Sequence, residues 1–398
     1  MARDRPPKKF KLFAWEIPIA WRQLSYEKAK FLRSSLGVSS AILLMFVQLG
    51  LLGSLDESTT VMHRHLRADL VMLHATTEAM FQVVPFSRRR LYQLLNFDSV
   101  ESVNPIYMDI GVYRNPEDGL SRTIAVYGVN PVEQPFDFSD IDQKIDDLSL
   151  TGSVLFDRKS RPEYGPVVEN IEAGKTVRAE LNGTRINIAE TTNFIGVSFG
   201  ITGTLITSDT TFSRFFPALG NLENIALGAI HLKPGSDPAT VAQSLEGKLP
   251  TDIKLLTVPD FIQLEQSYWQ LTTPVGFIFK MGVVVGFLIG MYIVYQVLFT
   301  DIANHIPDYA VLKAKGYPDA YFYLLVIQEA LILSASSYIP GYFFATTIYW
   351  IISFGTGLPV FMTHDRALLV LSLTLSMCII AGLLVTQKLK DSDPADLF

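Results

Sequence analysis

The chain has 398 residues, of which 49% are hydrophobic and 18% charged, with a formal net charge of −6 and a single cysteine. A mean hydropathy of +0.27 with so few charges is membrane-like. One cysteine excludes a disulfide framework, and the acidic balance argues against nucleic acid as a partner.

Residues 1–35 carry nine Lys/Arg (Arg3, Arg5, Lys8, Lys9, Lys11, Arg22, Lys28, Lys30, Arg33) against three acids (Asp4, Glu16, Glu27). This basic tail includes an amphipathic stretch over 15–35, where Trp15, Ile17, Ile19, Leu24 and Phe31 alternate with Arg22, Lys28, Lys30 and Arg33. Aromatic and basic residues beside an apolar run predict a helix lying in the headgroup plane. An uncharged stretch, 36–55, follows. Its length suits a crossing of roughly 30 Å of hydrocarbon. No small-residue cleavage signal follows it, so it reads as an uncleaved first transmembrane helix.

The long segment 56–274 holds 18 Lys/Arg and 28 Asp/Glu. Alternating or β-branched runs predict strands at 69–73, 103–112, 123–129, 154–156, 176–180, 185–189, 205–206, 225–232 and 253–258. Helices are expected over 87–95, with Ser87 as N-cap, and over 209–216, 237–249 and 259–270. The segment reads as an α+β domain of two subdomains, with a break near 150.

Three more apolar stretches crowd the last third, giving transmembrane helices at 275–300, 321–352 and 367–386. They are joined by a loop at 301–320 and a short loop at 353–366, and 387–398 forms a tail. The fold class is therefore a membrane protein with four transmembrane α-helices and a large domain between helices 1 and 2. Because basic residues stay inside, both termini and the 301–320 loop are expected in the cytoplasm, with the domain and 353–366 loop extracytoplasmic, in the cell inner (plasma) membrane. Cys378, inside the fourth helix, reads as a small packing residue.

Features that suggest chemistry are weak. Gly174-Lys175-Thr176 lacks the earlier glycine of a phosphate-binding loop, since Glu169 stands there, and reads as a turn before a strand. His63 and His65 have no further ligands nearby and read as a solvated face, as does the acidic run Asp140, Asp142, Asp146 and Asp147. No nucleophile elbow is present. Neither catalytic residues, cofactor-binding residues nor metal ligands are assigned, and the chain is not expected to be an enzyme.

The membrane part carries sharper signals. Gly282, Gly286 and Gly290 recur every four residues in the second span, a stripe for close helix packing within the chain or against a second copy. Glu329 is an acid within the third apolar stretch and is a candidate functional residue. Pro340-Gly341 predicts a kink or partial break in the third span. The loop between spans 2 and 3, DIANHIPDYAVLKAKGYPDA, predicts a short helix with Ile306, Tyr309, Ala310 and Leu312 on one face, stopped by Gly316. A loop longer than its topology requires, with an apolar face, suits docking onto a partner.

This layout resembles the permeases of the MacB/FtsX class of ABC systems (type VII). Within that class the text is more similar to the DevC type. The resemblance rests on LLMFVQLGLL (43–52), FSRRRLYQLL (86–95), VLFDRKSRPEYGP (154–166), LITSDTTFSRFFP (205–217), HLKPG (231–235), TPVGFIF (273–279), VYQVLFTDIANHIPDYAVLKAKGY (294–317), QEALIL (328–333), IPG (339–341) and DPADLF (393–398). Where more distant members carry an Arg-Glu-Ile-Gly text, this chain has Ile306-Pro307-Asp308-Tyr309. The resemblance implies a homodimeric permease working with a cytoplasmic ABC ATPase subunit (DevA-like) that holds ATP and Mg. It further implies a periplasmic membrane-fusion adaptor (DevB-like) and an outer-membrane TolC-like duct. Export would proceed by mechanotransmission, with a glycolipid or other lipid-like cargo. Ile306, Pro307, Asp308, Tyr309, Leu312, Lys313 and Gly316 would form the ATPase-coupling helix, and the glycine stripe is the expected dimer seam. The rivals are an FtsX-like regulator that transmits motion to an outside enzyme without transport, and a lipoprotein-releasing permease.

Overall fold

The computed structural model describes residues 28–219 and 222–391. The basic tail through residue 27, with most of the interfacial helix expected at 15–35, and the end of the last tail lie outside the described residues. The chain divides into two compact units. One comprises residues up to Gly50 with Phe279–Tyr349 and the chain from Met362; the other comprises Leu51–Ile278 with Trp350–Phe361.

Among the described residues, four helices are long and apolar enough to cross a membrane: span 1, Lys28–Thr59; span 2, Pro274–Ala314; span 3, Asp319–Thr356; and span 4, His364–Asp391. Each overshoots its apolar stretch, because hydropathy marks only the residues that need hydrocarbon while a helix propagates until something stops it. The clearest case is span 2, whose 41 residues run through most of the expected 301–320 loop. The separate short helix expected there is therefore the end of the span itself. Pro307 stands inside it and removes only one backbone donor, without ending the helix. The stop is Gly316, whose φ of +89° suits a residue without Cβ, with Pro318 just beyond. Span 3 likewise continues helically through Pro340-Gly341, so the partial break expected there is absent.

The membrane unit packs around span 1. A Cβ added at Gly282 would lie 2.3 Å from Gln48 Cδ, one at Gly286 2.9 Å from Met45 Cγ, and one at Gly290 2.6 Å from Met377 Sδ. The glycine stripe expected at a dimer seam is thus occupied by spans 1 and 4 of the same chain. Span 3 approaches span 1 as closely: Gly341 meets Ile42, Gly50 lies under the Tyr349 ring, and the Ser39 hydroxyl donates to the Ser337 carbonyl at 2.8 Å. Small residues let backbones approach and gain dispersion where lipid offers no hydrophobic drive.

In the inserted unit the elements run as follows: α1 (Val61–Arg64), β1 (Leu70–His74), β2 (Phe86–Ser87), α2 (Arg88–Tyr92), β3 (Val100–Arg114), β4 (Ser121–Val129), α3 (Ser139–Lys144), β5 (Ser153–Asp157), α4 (Val167–Glu172), β6 (Val177–Leu181), β7 (Thr184–Thr192), β8 (Thr204–Ser208), α5 (Asp209–Phe215), β9 (Asn224–Ile225), β10 (Leu227–Leu232), α6 (Pro238–Glu246), β11 (Ile253–Thr257) and α7 (Val258–Ser267). A π-helical turn, Tyr268–Thr272, leads into span 2. Nine strands hydrogen-bond in the order β11-β1-β10-β3-β4-β8-β5-β7-β6, and β6 also pairs back onto the end of β3 through Tyr113↔Leu181. Six strands therefore close on themselves, which removes the exposed edges. The long β3 serves both regions: Val100–Ile106 pairs with β10 and Tyr107–Arg114 with β4. The two regions interleave along the chain and do not meet at a boundary near 150.

Both faces of the sheet are buried. Along β1, Leu70 and Met72 enter one apolar cluster, and Val71 and Leu73 enter the other. This is why β1 reads as a continuous apolar run and not an alternating one. Helix starts follow local chemistry: Ser208, Asp237 and Thr257 each accept from a backbone N–H three residues on. Ser87 stands at the start of α2 but makes no side-chain cap.

Candidate functional site

The chemistry-bearing residues gather in two places, one in each unit. The first is the turn between spans 2 and 3 with the adjoining helical ends. Ile306 is half-buried, Pro307 and Gly316 are exposed, and the backbone places Asp308, Tyr309, Leu312 and Lys313 in the last turns of span 2. The side chains of those last four lie outside the described part. Val311, next to them, is 55% exposed. Just before this segment, Asp301 is buried, lies 3.9 Å from Lys30 Nζ, and its carbonyl is 2.8 Å from His305 Nδ1.

Glu329 is fully buried in span 3, and neither carboxylate oxygen has a hydrogen-bond partner. A carboxyl group without a donor in so apolar a setting is costly. Its flanking Val326 and Ala330 face Gly382 of span 4, so the acid sits in a tightly closed part of the bundle. Sequence reading singled Glu329 out by depth alone, and its complete isolation from donors comes only from the packing.

The second place lies in the inserted unit and was not foreseen. His63, expected on a solvated face, is 1% exposed, and its ring packs on Phe261 with centroids 4.1 Å apart. Its Nε2 lies 3.3 Å from Glu265 Oε2, and Glu265 is itself buried. That carboxylate accepts the Met80 N–H on Oε2 and the Trp269 indole N–H on Oε1, both at 2.8 Å. One residue further on, Gln270 Nε2 donates at 2.7 Å to both Asp56 oxygens. Burial, then the Glu265 charge, pushes the nearby Tyr127 phenol well above its usual range. The i, i+4 spacing of Glu265 and Trp269 was visible in the sequence, but nothing there set it apart from a solvated helix face.

Another buried acid organises the loop that follows β7. Asp157 accepts from the N–H groups of Lys159 and Phe194 on Oδ1 and of Gly196 on Oδ2, at 3.1, 3.2 and 2.6 Å. Burial raises its pKa, and the three amide donors oppose the shift. His65 is part-buried and stacks on Phe138. Of the acidic run, Asp146 and Asp147 are exposed as expected, whereas Asp140 accepts from the Asn193 N–H and Asp142 pairs with Arg67 at 2.6 Å. Among the described residues, no three His, Cys, Asp or Glu side chains gather as metal ligands.

Comparison with known proteins gave matches for parts of the chain. Residues 280–394, spans 2 to 4, match the family model of the FtsX-like permease C-terminal region. The membrane part from span 2 onward is thus similar to the C-terminal region of FtsX-like permeases. Among solved structures, the periplasmic region of MacB from Actinobacillus actinomycetemcomitans aligns at 13% identity over 50% of this chain and 94% of that one, with a TM-score of 0.35. The extracellular domain of the noncanonic ABC-type transporter YknZ from Gram-positive bacteria aligns at 11% identity over 47% and 99%, with a TM-score of 0.29. A comparison with curated protein sequences gave no significant match.

Proposed function

We propose that this chain is the membrane subunit of an ATP-driven exporter of the DevC type. It would sit in the inner membrane with both termini in the cytoplasm, and two copies would pair with two cytoplasmic ATPase subunits that carry ATP and Mg. The observation that carries the reading is the continuous helix of span 2, which runs past its apolar stretch to Ala314 and ends in the Gly316 turn. A rigid rod leading from the membrane core to a partner-facing tip can transmit a push, whereas a flexible loop cannot. The domain between spans 1 and 2 is the other end of that lever. It would act on a periplasmic membrane-fusion adaptor and a TolC-like duct, moving a glycolipid or other lipid-like cargo. The mechanical parts serve a regulator of an outside enzyme equally well, and cargo export distinguishes the two.

The test is the ATPase rate of the co-expressed cytoplasmic subunit with wild-type permease and with Val311→Asp. The exposed Val311 lies in the last turn of span 2, and a charge there should undock an apolar contact without disturbing the core. Loss of complex formation and of permease-dependent stimulation supports the reading, and full retention of both overturns it. A deletion strain whose outer-membrane lipids match wild type would remove the lipid-export part.

A further inference from the structure

We propose that His63, Glu265 and Trp269 form a clasp that makes the chain leaving span 1 and the chain entering span 2 move as one body. They are positioning residues for the transmission of motion into the inserted domain, and this assignment rests on the mechanotransmission reading above. The domain is joined covalently to spans 1 and 2 through residues 56–63 and 268–273. If these two strands were independent, a displacement of either span would be absorbed by bending its own connector.

The structure ties them together twice. Gln270 reaches both carboxylate oxygens of Asp56 at 2.7 Å. One layer further in, the buried His63 of α1 stands 3.3 Å from the Glu265 carboxylate of α7, which accepts the Trp269 indole N–H from its own connector and the Met80 amide from the segment after β1. The Phe261 ring backs the imidazole, so His63 cannot withdraw into solvent without opening the core around it.

The chemistry explains why a carboxylate stands here. Burying an acid between two aromatic side chains is a poor way to stabilise a fold, since apolar residues would fill the space at less cost. What a buried, doubly hydrogen-bonded carboxylate supplies is stiffness. Drawing α7 away from the segments it packs on strands the Met80 amide without its acceptor and separates the carboxylate from His63. The π-turn serves the same end, because its wider winding carries Trp269 within reach of Oε1 while Gln270 points to Asp56. A third connection leads to the same place. Val197, in the loop whose Ser198 and Ile201 line the crevice beside His63, packs against Gly357 of the segment joining spans 3 and 4.

The test uses the full-length protein in lipid nanodiscs with Glu265→Gln, which keeps the shape but turns one acceptor into a donor facing donors. Trp269→Phe is the second variant and removes the indole N–H together with part of the buried ring. Hydrogen exchange at residues 56–63, at Met80 and at 268–272 should speed up at least tenfold in Glu265→Gln and less in Trp269→Phe, with β4 unchanged. With the partner ATPase present, ATP and vanadate should alter exchange across the inserted domain of the wild type. In Glu265→Gln that alteration should be lost while the ATPase rate stays within twofold. Unchanged protection of the two connectors in both variants overturns the clasp, and so does a parallel fall of ATPase rate and domain response. If even the wild-type permease leaves the ATPase rate unaltered, the exporter reading fails, and the exchange comparison still decides the clasp.

Discussion

The glycine stripe of span 2 offers the cleanest test of the membrane packing, through Gly286→Ile. A Cβ at residue 286 would lie 2.9 Å from Met45 Cγ and 3.4 Å from both the Ala41 carbonyl oxygen and the Met45 backbone nitrogen. The first neighbour can shift by a rotamer change, but the other two are the backbone of span 1 and cannot. Alanine at this position gains about 1 kcal/mol in helix propensity and loses about 1–3 kcal/mol to overpacking, so it should fall between neutral and about 2 kcal/mol destabilising. Isoleucine adds three further carbons where no space exists, forces the helices apart, and should cost about 3 kcal/mol, the upper end of that range. Gly355 is the internal control. No atom lies within 4 Å of a Cβ built there, so Gly355→Ala should be neutral or stabilising by up to about 1 kcal/mol. The assay is thermal unfolding in detergent over a series of protein concentrations, with mass measured by light scattering. Intrachain packing predicts a lower melting temperature for Gly286→Ile at every concentration, with no dependence on assembly. A variant that melts like wild type but loses its dimer would refute this packing and restore the stripe as a seam between copies.

Two further outcomes follow from buried carboxylates with opposite surroundings. Glu329→Leu removes a fully buried acid whose oxygens have no donor, so it should raise thermal stability by about 1–4 kcal/mol. Unchanged or lower melting would mean the carboxylate has a stabilising partner. Asp157→Ala leaves the amides of Lys159, Phe194 and Gly196 without an acceptor. It should cost about 3 kcal/mol or more and speed proteolysis within 193–203. Wild-type stability there would show that water replaces the carboxylate freely.

Hydropathy made the four spans legible because the cost of exposing polar groups to hydrocarbon is large and local. The spans' ends were not legible. Lys28–Thr59 continues well beyond the apolar 36–55 stretch, since Asp56 and Glu57 end the hydrophobic run without ending the helix. The same blind spot set 301–320 apart as a loop with its own short helix, since Asp301 ends the uncharged run without ending the helix. Most strands were recognisable within a few residues, because alternation and β-branching reflect burial against the pleat. The closed pairing of β6 with β3 was not, as register between distant strands leaves no periodic trace. The short α4 was missed for a related reason: six residues are too few to show a helical period.

The candidate site divides along the same line. Glu329 and the glycines stood out because a charge or a missing side chain is anomalous inside an apolar stretch. His63, Glu265, Trp269, Asp56 and Gln270 fall just outside the spans, where polar residues are ordinary, and composition assigns them to water. Tertiary packing reverses that assignment: His63 and Glu265 come together from 202 positions apart and are both almost fully buried. In the proposed lever the stiffest joints belong where helices leave the lipid, for there the lipid no longer confines them. In that zone the hydropathy pattern carries least information, so a joint built of buried polar pairs is nearly invisible in the sequence and distinct in the fold.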